Sequence, residues 1–161
     1  MSPNDAIVLF AEISVALAGL AGVASALAGR DRDFGVLDRG RIRAIVGLPT
    51  IVLVGCLAFV AASVGDPALA RATRVAAAVS LVACLPLYVW VVVPAIRDFR
   101  QPNSVADPWV IYLSTFLVAL ATVLYGWVAL FPKVLWVLVA SFSLQIVHAI
   151  WMFLRLLTRP K

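Results

Sequence analysis

Five long apolar segments, none of which contains Asp, Glu, Lys or Arg, dominate this sequence. They cover residues 13–29, 44–65, 75–96, 108–132 and 134–154. Each is close to or above the roughly 17–20 residues that a helix needs to cross the hydrocarbon core of a bilayer. Strands of a membrane β-barrel would alternate apolar and polar residues instead. We therefore predict a single all-α membrane domain of five transmembrane helices, over about residues 4–29, 43–65, 67–96, 108–131 and 132–156.

The charged residues predict how these helices are oriented. Only 13% of the chain is charged, against roughly 25% in soluble domains. One side of the predicted membrane holds Arg30, Arg32, Arg39, Arg41, Arg43, Arg97, Arg100, Arg155, Arg159 and Lys161, and the other holds Arg71, Arg74 and Lys133. Because basic loops stay in the cytoplasm, the N-terminus is predicted outside and the C-terminus inside.

The same charges indicate the surroundings of the protein. A net charge of +5 that is concentrated on one side favours anionic lipid headgroups as partners rather than nucleic acid. Four tryptophans near the ends of spans four and five are placed as lipid anchors, namely Trp109, Trp127, Trp136 and Trp151. Eleven arginines against two lysines, together with many Ala and Val residues, favour a bacterial cytoplasmic membrane.

Prolines mark both the ends and the interior of the predicted helices. Asp107-Pro108 is typical of a helix start, with the carboxylate as cap and proline in the first turn. Asp66-Pro67 repeats this pattern before span three. Pro86 and Pro94 instead fall inside span three, where we expect a bend and backbone carbonyl groups that need other partners.

The first segment, residues 11–29, is unusually rich in small side chains, since twelve of its nineteen residues are Ala, Gly or Ser. One stripe of small residues recurs every four positions and comprises Ser14, Ala18, Gly22 and Ala26. A neighbouring face comprises Glu12, Ala16, Gly19 and Val23. Small residues let membrane helices approach closely. Two such faces favour a central position in a bundle or ring, and therefore a homo-oligomer or a complex with another membrane protein.

The sequence around this segment resembles two groups of membrane proteins. AEISVALAGLAG, residues 11–22, resembles the opening of small uncharacterised bacterial integral membrane proteins; the likeness covers one helix and implies no activity. The layout of an outer Glu, an apolar stretch and cytosolic arginines is similar to that of calcium-release-activated channels. The number of spans and the chain direction differ from that family.

When the first segment is extended over residues 6–12 to reach span length, Glu12 becomes the only acidic residue inside an apolar segment. Three kinds of role are open to it: a structural role, a role in transport, or a role in an enzyme or in binding a partner. It pairs with Arg74 or Arg71 at the outer start of span three, or hydrogen-bonds a hydroxyl of a neighbouring helix. Otherwise it lines an aqueous path as a proton carrier or cation ligand. An acidic residue within a membrane span is a functional-site candidate because its burial in lipid is costly.

Uncharged polar residues form stripes on three other spans and predict a polar seam that faces the inside of the bundle or a neighbouring subunit. The stripes place Ser141, Gln145 and His148 on span five, Thr115 and Thr122 on span four, and Ser80 and Tyr88 on span three. His148 is either a neutral residue hydrogen-bonded through Gln145 or Tyr88, or a proton relay. Counting along the helices separates Glu12 from His148 by roughly 12 Å of depth, so a direct pair is disfavoured.

Catalytic and metal-binding motifs are lacking in the sequence. It contains no G-x-S-x-G elbow, H-E-x-x-H pair or phosphate loop. One His and two scattered Cys residues give no metal-ligand spacing. We therefore expect neither an enzyme nor a bound cofactor or metal. The leading hypothesis is an ion- or proton-conducting subunit that uses Glu12, and the alternative is a non-transporting accessory subunit of a membrane complex.

Overall fold

The computed structural model of the protein is all-helical in the residues that it describes, which are 3–28, 36–64, 69–99, 108–132 and 135–157. The helices are α1 (Pro3–Ala28), α2 (Val36–Ser63), α3 (Leu69–Leu87), a short π-helical segment (Tyr88–Val92), α4 (Val93–Phe99), α5 (Pro108–Leu130) and α6 (Leu135–Leu157). Because the π-helical segment joins α3 to α4 without a break, these three elements form one continuous helical segment.

Five of these helical stretches are long and apolar enough to cross a membrane. They cover Asp5–Val23, Arg41–Ser63, Leu69–Val92, Pro108–Leu130 and Leu135–Arg155. The predicted number of long apolar helices is therefore confirmed. Their insertion into a membrane, its direction and the bounds of the spans stay predictions. Helix α5 begins at Pro108, and its predicted cap, Asp107, lies outside the described residues. Asp66 and Pro67 lie outside the described residues.

The helices form a four-helix bundle with α1 packed on its outside. Helix α2 packs against α3, α3 against α5, α5 against α6, and α6 returns to α2. Helix α1 lies against α2 and, less extensively, against α6. The central position expected for the first helix is therefore wrong within one chain. Helices α2 and α6 take the more central positions, because α6 contacts all four of the other spans and α2 contacts three of them.

A π-helical segment, Tyr88–Val92, lies between the two prolines of span three, where we predict a bend. In an α-helix the carbonyl of Trp90 accepts the N–H of residue 94, which proline lacks. The guanidinium of Arg43 on α2 donates to that carbonyl at 3.3 Å. It also lies over the Trp90 ring, 5.2 Å from its centroid. Arg43 therefore fixes the start of α2 to the irregular part of span three.

Replacing Arg43 by alanine is expected to lower the free energy of unfolding by about 1–2 kcal/mol, because both contacts with Trp90 are lost. Arg43→Lys keeps the charge but lacks the planar guanidinium group, so it should lower the free energy of unfolding by about half as much. Denaturant unfolding in detergent, followed by circular dichroism, measures both changes. Equal stability of Arg43→Ala and the wild type would show that this contact does not hold the two helices together.

Candidate functional site

Glu12 lies on the side of α1 that points away from the bundle. Among the α1 side chains that the structure describes, residues 5–23, the buried ones are Ile7, Ser14 and Ala21, spaced seven apart, and they face the other helices. At about 100° per residue, Glu12 is on the opposite side of the helix, and its side chain is exposed. Glu12 comes seven residues after Asp5, where the apolar span begins. It therefore lies about 10 Å into that span.

No hydrogen bond or ion pair to Glu12 occurs among the residues that the structure describes. Arg71 and Arg74, its predicted partners, are exposed near the start of α3. Because α1 packs on α2 and α6 rather than on α3, the structure does not bring Glu12 to either arginine. Within one chain, the side chain of Glu12 is left facing the surroundings of the protein.

The two small-residue faces of α1 differ in their environment. Ser14 is buried, and its hydroxyl donates to the Phe10 carbonyl at 2.7 Å. Ala18 is half-buried and Gly22 is exposed, while the side chain of Ala26 lies outside the described part. On the other face, all four members are exposed, namely Glu12, Ala16, Gly19 and Val23. We call these four residues the Glu12 face.

The surface around the two glycines of α1 is open. A Cβ atom added to Gly19 or to Gly22 would have no neighbouring atom within 4 Å. These glycines are therefore not needed for packing inside the chain. An uncovered surface of this kind lets the backbone of another membrane helix approach closely.

The predicted polar seam lies inside the bundle for most of its members. Ser80, Ser141, Gln145 and His148 are all buried, and Thr115 and Thr122 are half-buried. Tyr88 differs from these residues, because its side chain is 41% exposed and does not face the inside of its own bundle. Each step of four residues advances about 40° round a helix, so Tyr88 lies about 80° from Ser80. Leu87 lies within about 20° of Ser80, and it is buried instead.

Two hydroxyl groups of the seam are bonded within their own helices. Thr122 donates to the Val118 carbonyl at 2.8 Å, and Ser141 donates to the Val137 carbonyl at 2.7 Å. Such bonds to the preceding turn satisfy a hydroxyl without any partner from another helix. These side chains therefore contribute fewer free hydrogen-bonding groups than the sequence pattern alone indicates.

His148 has a partner that the sequence reasoning missed. Its Nε2 atom lies at hydrogen-bond distance, 3.2 Å, from Oγ of Ser114 on α5. Ser114 shares a face with Val118, Ala121 and Tyr125 at spacings of four, seven and eleven residues, and those three residues are buried. Helical periodicity alone predicts that Ser114 lies on this face. Its pairing with His148 on α6 depends on how the helices pack.

His148 and Glu12 belong to different parts of the molecule. The His148 ring packs near that of Trp151, with centroids 5.9 Å apart, and the Arg155 guanidinium lies 5.6 Å from the centre of the Trp151 indole. His148 lies inside the bundle, whereas Glu12 is on its outside. In the described ranges, no three His, Cys, Asp or Glu side chains come together as a metal site.

Comparison of the chain with protein-family models, curated proteins and solved structures finds no match.

Proposed function

We propose that this protein is an ion- or proton-conducting subunit of a homo-oligomer in the bacterial cytoplasmic membrane. One observation carries the proposal: a carboxylate lies about 10 Å into an apolar span and is exposed on the outside of its own chain. A charged side chain in contact with lipid hydrocarbon is costly. Glu12 therefore meets water or another polypeptide in the functional state.

A ring of several copies of this chain would give Glu12 both contact with water and contact with another polypeptide. If the Glu12 faces of several chains surround a common axis, their carboxylates repeat around a water-filled opening. Rings of Asp or Glu attract cations and exclude anions, and apolar side chains below such a ring can gate the opening. Exposed residues of α1, such as Val15 and Val23, would supply that apolar lining.

The alternative is a non-transporting accessory subunit that binds a different membrane protein through α1. The open surface at Gly19 and Gly22 supports close contact with any helix of suitable shape. Isolation from native membranes in a mild detergent separates the two proposals. Recovery as a homo-oligomer supports conduction, whereas a stable complex with a second protein supports the accessory role.

Flux into liposomes that contain the purified protein tests conduction itself. We expect uptake of protons or small cations by the wild-type protein and its loss in Glu12→Gln. A protein that reconstitutes as an oligomer without any flux would contradict the proposal.

A further inference from the structure

Three buried polar atoms in the bundle have no hydrogen-bond partner among the described residues. They are Oγ of Ser80 on α3, the hydroxyl of Tyr125 on α5 and Oε1 of Gln145 on α6. Ser80 and Tyr125 are fully buried, and Gln145 is 2% exposed. Buried polar groups nearly always find a partner, so three such groups in one small bundle require an explanation.

The three groups belong to side chains that meet around Cys84 on α3 and Phe142 on α6. The Gln145 amide donates to Cys84 Sγ at 3.7 Å. The Tyr125 ring packs against that of Phe142, with centroids 5.9 Å apart, and Oγ of Ser80 and Cζ of Phe142 both border the point where a Cβ atom on Gly55 would lie. Ser80 precedes Cys84 by one helical turn. Side chains from three different helices therefore bring their unpaired oxygens to one region, which we call the central site.

Counting along the helices places Ser80 and Gln145 at the same level, with the backbone of Tyr125 about 8 Å nearer the end of the bundle. Ser80 lies eleven residues after the start of α3, and Gln145 lies ten residues after the start of α6, which correspond to about 16 and 15 Å. Tyr125 lies five residues from the end of α5 at the same side of the bundle. Because helical side chains lean toward the N-terminus, its ring extends from there toward the level of the other two.

We propose that water occupies the central site and bridges Ser80, Tyr125 and Gln145. A water molecule can accept from the two hydroxyl groups and donate to the amide oxygen, which satisfies all three unpaired atoms. Buried waters typically make about three hydrogen bonds of this kind. All the surrounding groups named here are neutral, which favours a neutral ligand over an ion. This site lies inside one chain and does not depend on the proposed role of Glu12.

Transfer of magnetisation from water to the protein, measured by solid-state NMR in lipid bilayers, tests this proposal without a substitution. We expect transfer to the side chains of Gln145 and Tyr125 to be faster, by about threefold or more, than to Leu138 and Ala149. The latter two are equally buried residues of α6. Equal transfer to all four residues would overturn the proposal.

Removal of single hydroxyl groups gives a second test, because the change in protein stability has a different sign for a hydrated site and for a dry site. With bound water, Tyr125→Phe and Ser80→Ala each lose a bridged hydrogen bond, and we expect the unfolding equilibrium constant to rise about fivefold. In a dry site, each substitution removes an unsatisfied group and is neutral or stabilising. Unchanged or higher stability in both variants would therefore contradict bound water.

Discussion

Replacing Glu12 by glutamine is expected to reduce ion or proton flux through reconstituted protein by roughly tenfold or more. Glutamine keeps the size and hydrogen-bonding capacity of the side chain but removes its charge and its ability to carry a proton. Because Glu12 makes no hydrogen bond or ion pair within the described part of its own chain, the substitution should leave the bundle intact. Flux is measured with a pH-sensitive or cation-sensitive dye inside the liposomes.

Two variants serve as controls. Glu12→Asp retains the carboxylate and should retain measurable flux. Val82→Ala changes an exposed apolar residue of α3, away from the Glu12 face, without altering charge, and its flux should stay near that of the wild type. Unchanged flux in Glu12→Gln would remove Glu12 from the conduction path, even if the protein conducts.

Replacing Gly55 by alanine is expected to lower the free energy of unfolding by about 1–3 kcal/mol, as overpacking of a core typically does. A Cβ atom at this position would collide with Oγ of Ser80 and would lie 2.8 Å from Cζ of Phe142. Phe142 is fully buried. Its ring packs against those of Phe10 and Tyr125, each with a centroid separation of 5.9 Å. The ring therefore has little room to move aside.

Two other glycines provide matched controls for this substitution. A Cβ atom on Gly47 would meet Cδ1 of Leu87, the end of a flexible side chain, so Gly47→Ala should cost less. A Cβ atom on Gly126 would meet nothing within 4 Å, so Gly126→Ala should be neutral or stabilising. Thermal or denaturant unfolding in detergent ranks the three variants. A loss at Gly126 as large as that at Gly55 would contradict the packing explanation.

The apolar segments predict the helices well because a long, continuous apolar run has few other regular structures open to it. A backbone without access to water must satisfy its polar groups internally, and a continuous apolar run can do so only as a helix. Periodicity within α6 also predicts a buried stripe correctly, since Ser141, Gln145 and His148 are close to one face of a regular helix.

The position of α1 is not predictable by the same reasoning. Its small residues indicate that neighbours can approach, but they do not select which face contacts the chain's own bundle. The pairing of His148 with Ser114 similarly depends on which helices are adjacent. The exposure of Tyr88 has a different cause. Residues spaced four apart are offset by about 40° at each step, so the second step from Ser80 already takes Tyr88 away from the core.

Cysteine cross-linking in native membranes tests most directly whether another copy covers the Glu12 face. Cys56 and Cys84 are free and buried and are first replaced by alanine. Ala16→Cys then places one thiol on the Glu12 face, and Val82→Cys places one on an exposed position of α3. We predict disulfide-linked dimers for Ala16→Cys and not for Val82→Cys. An absence of dimers at Ala16, or equal dimer formation at both positions, would contradict a homo-oligomer assembled through α1.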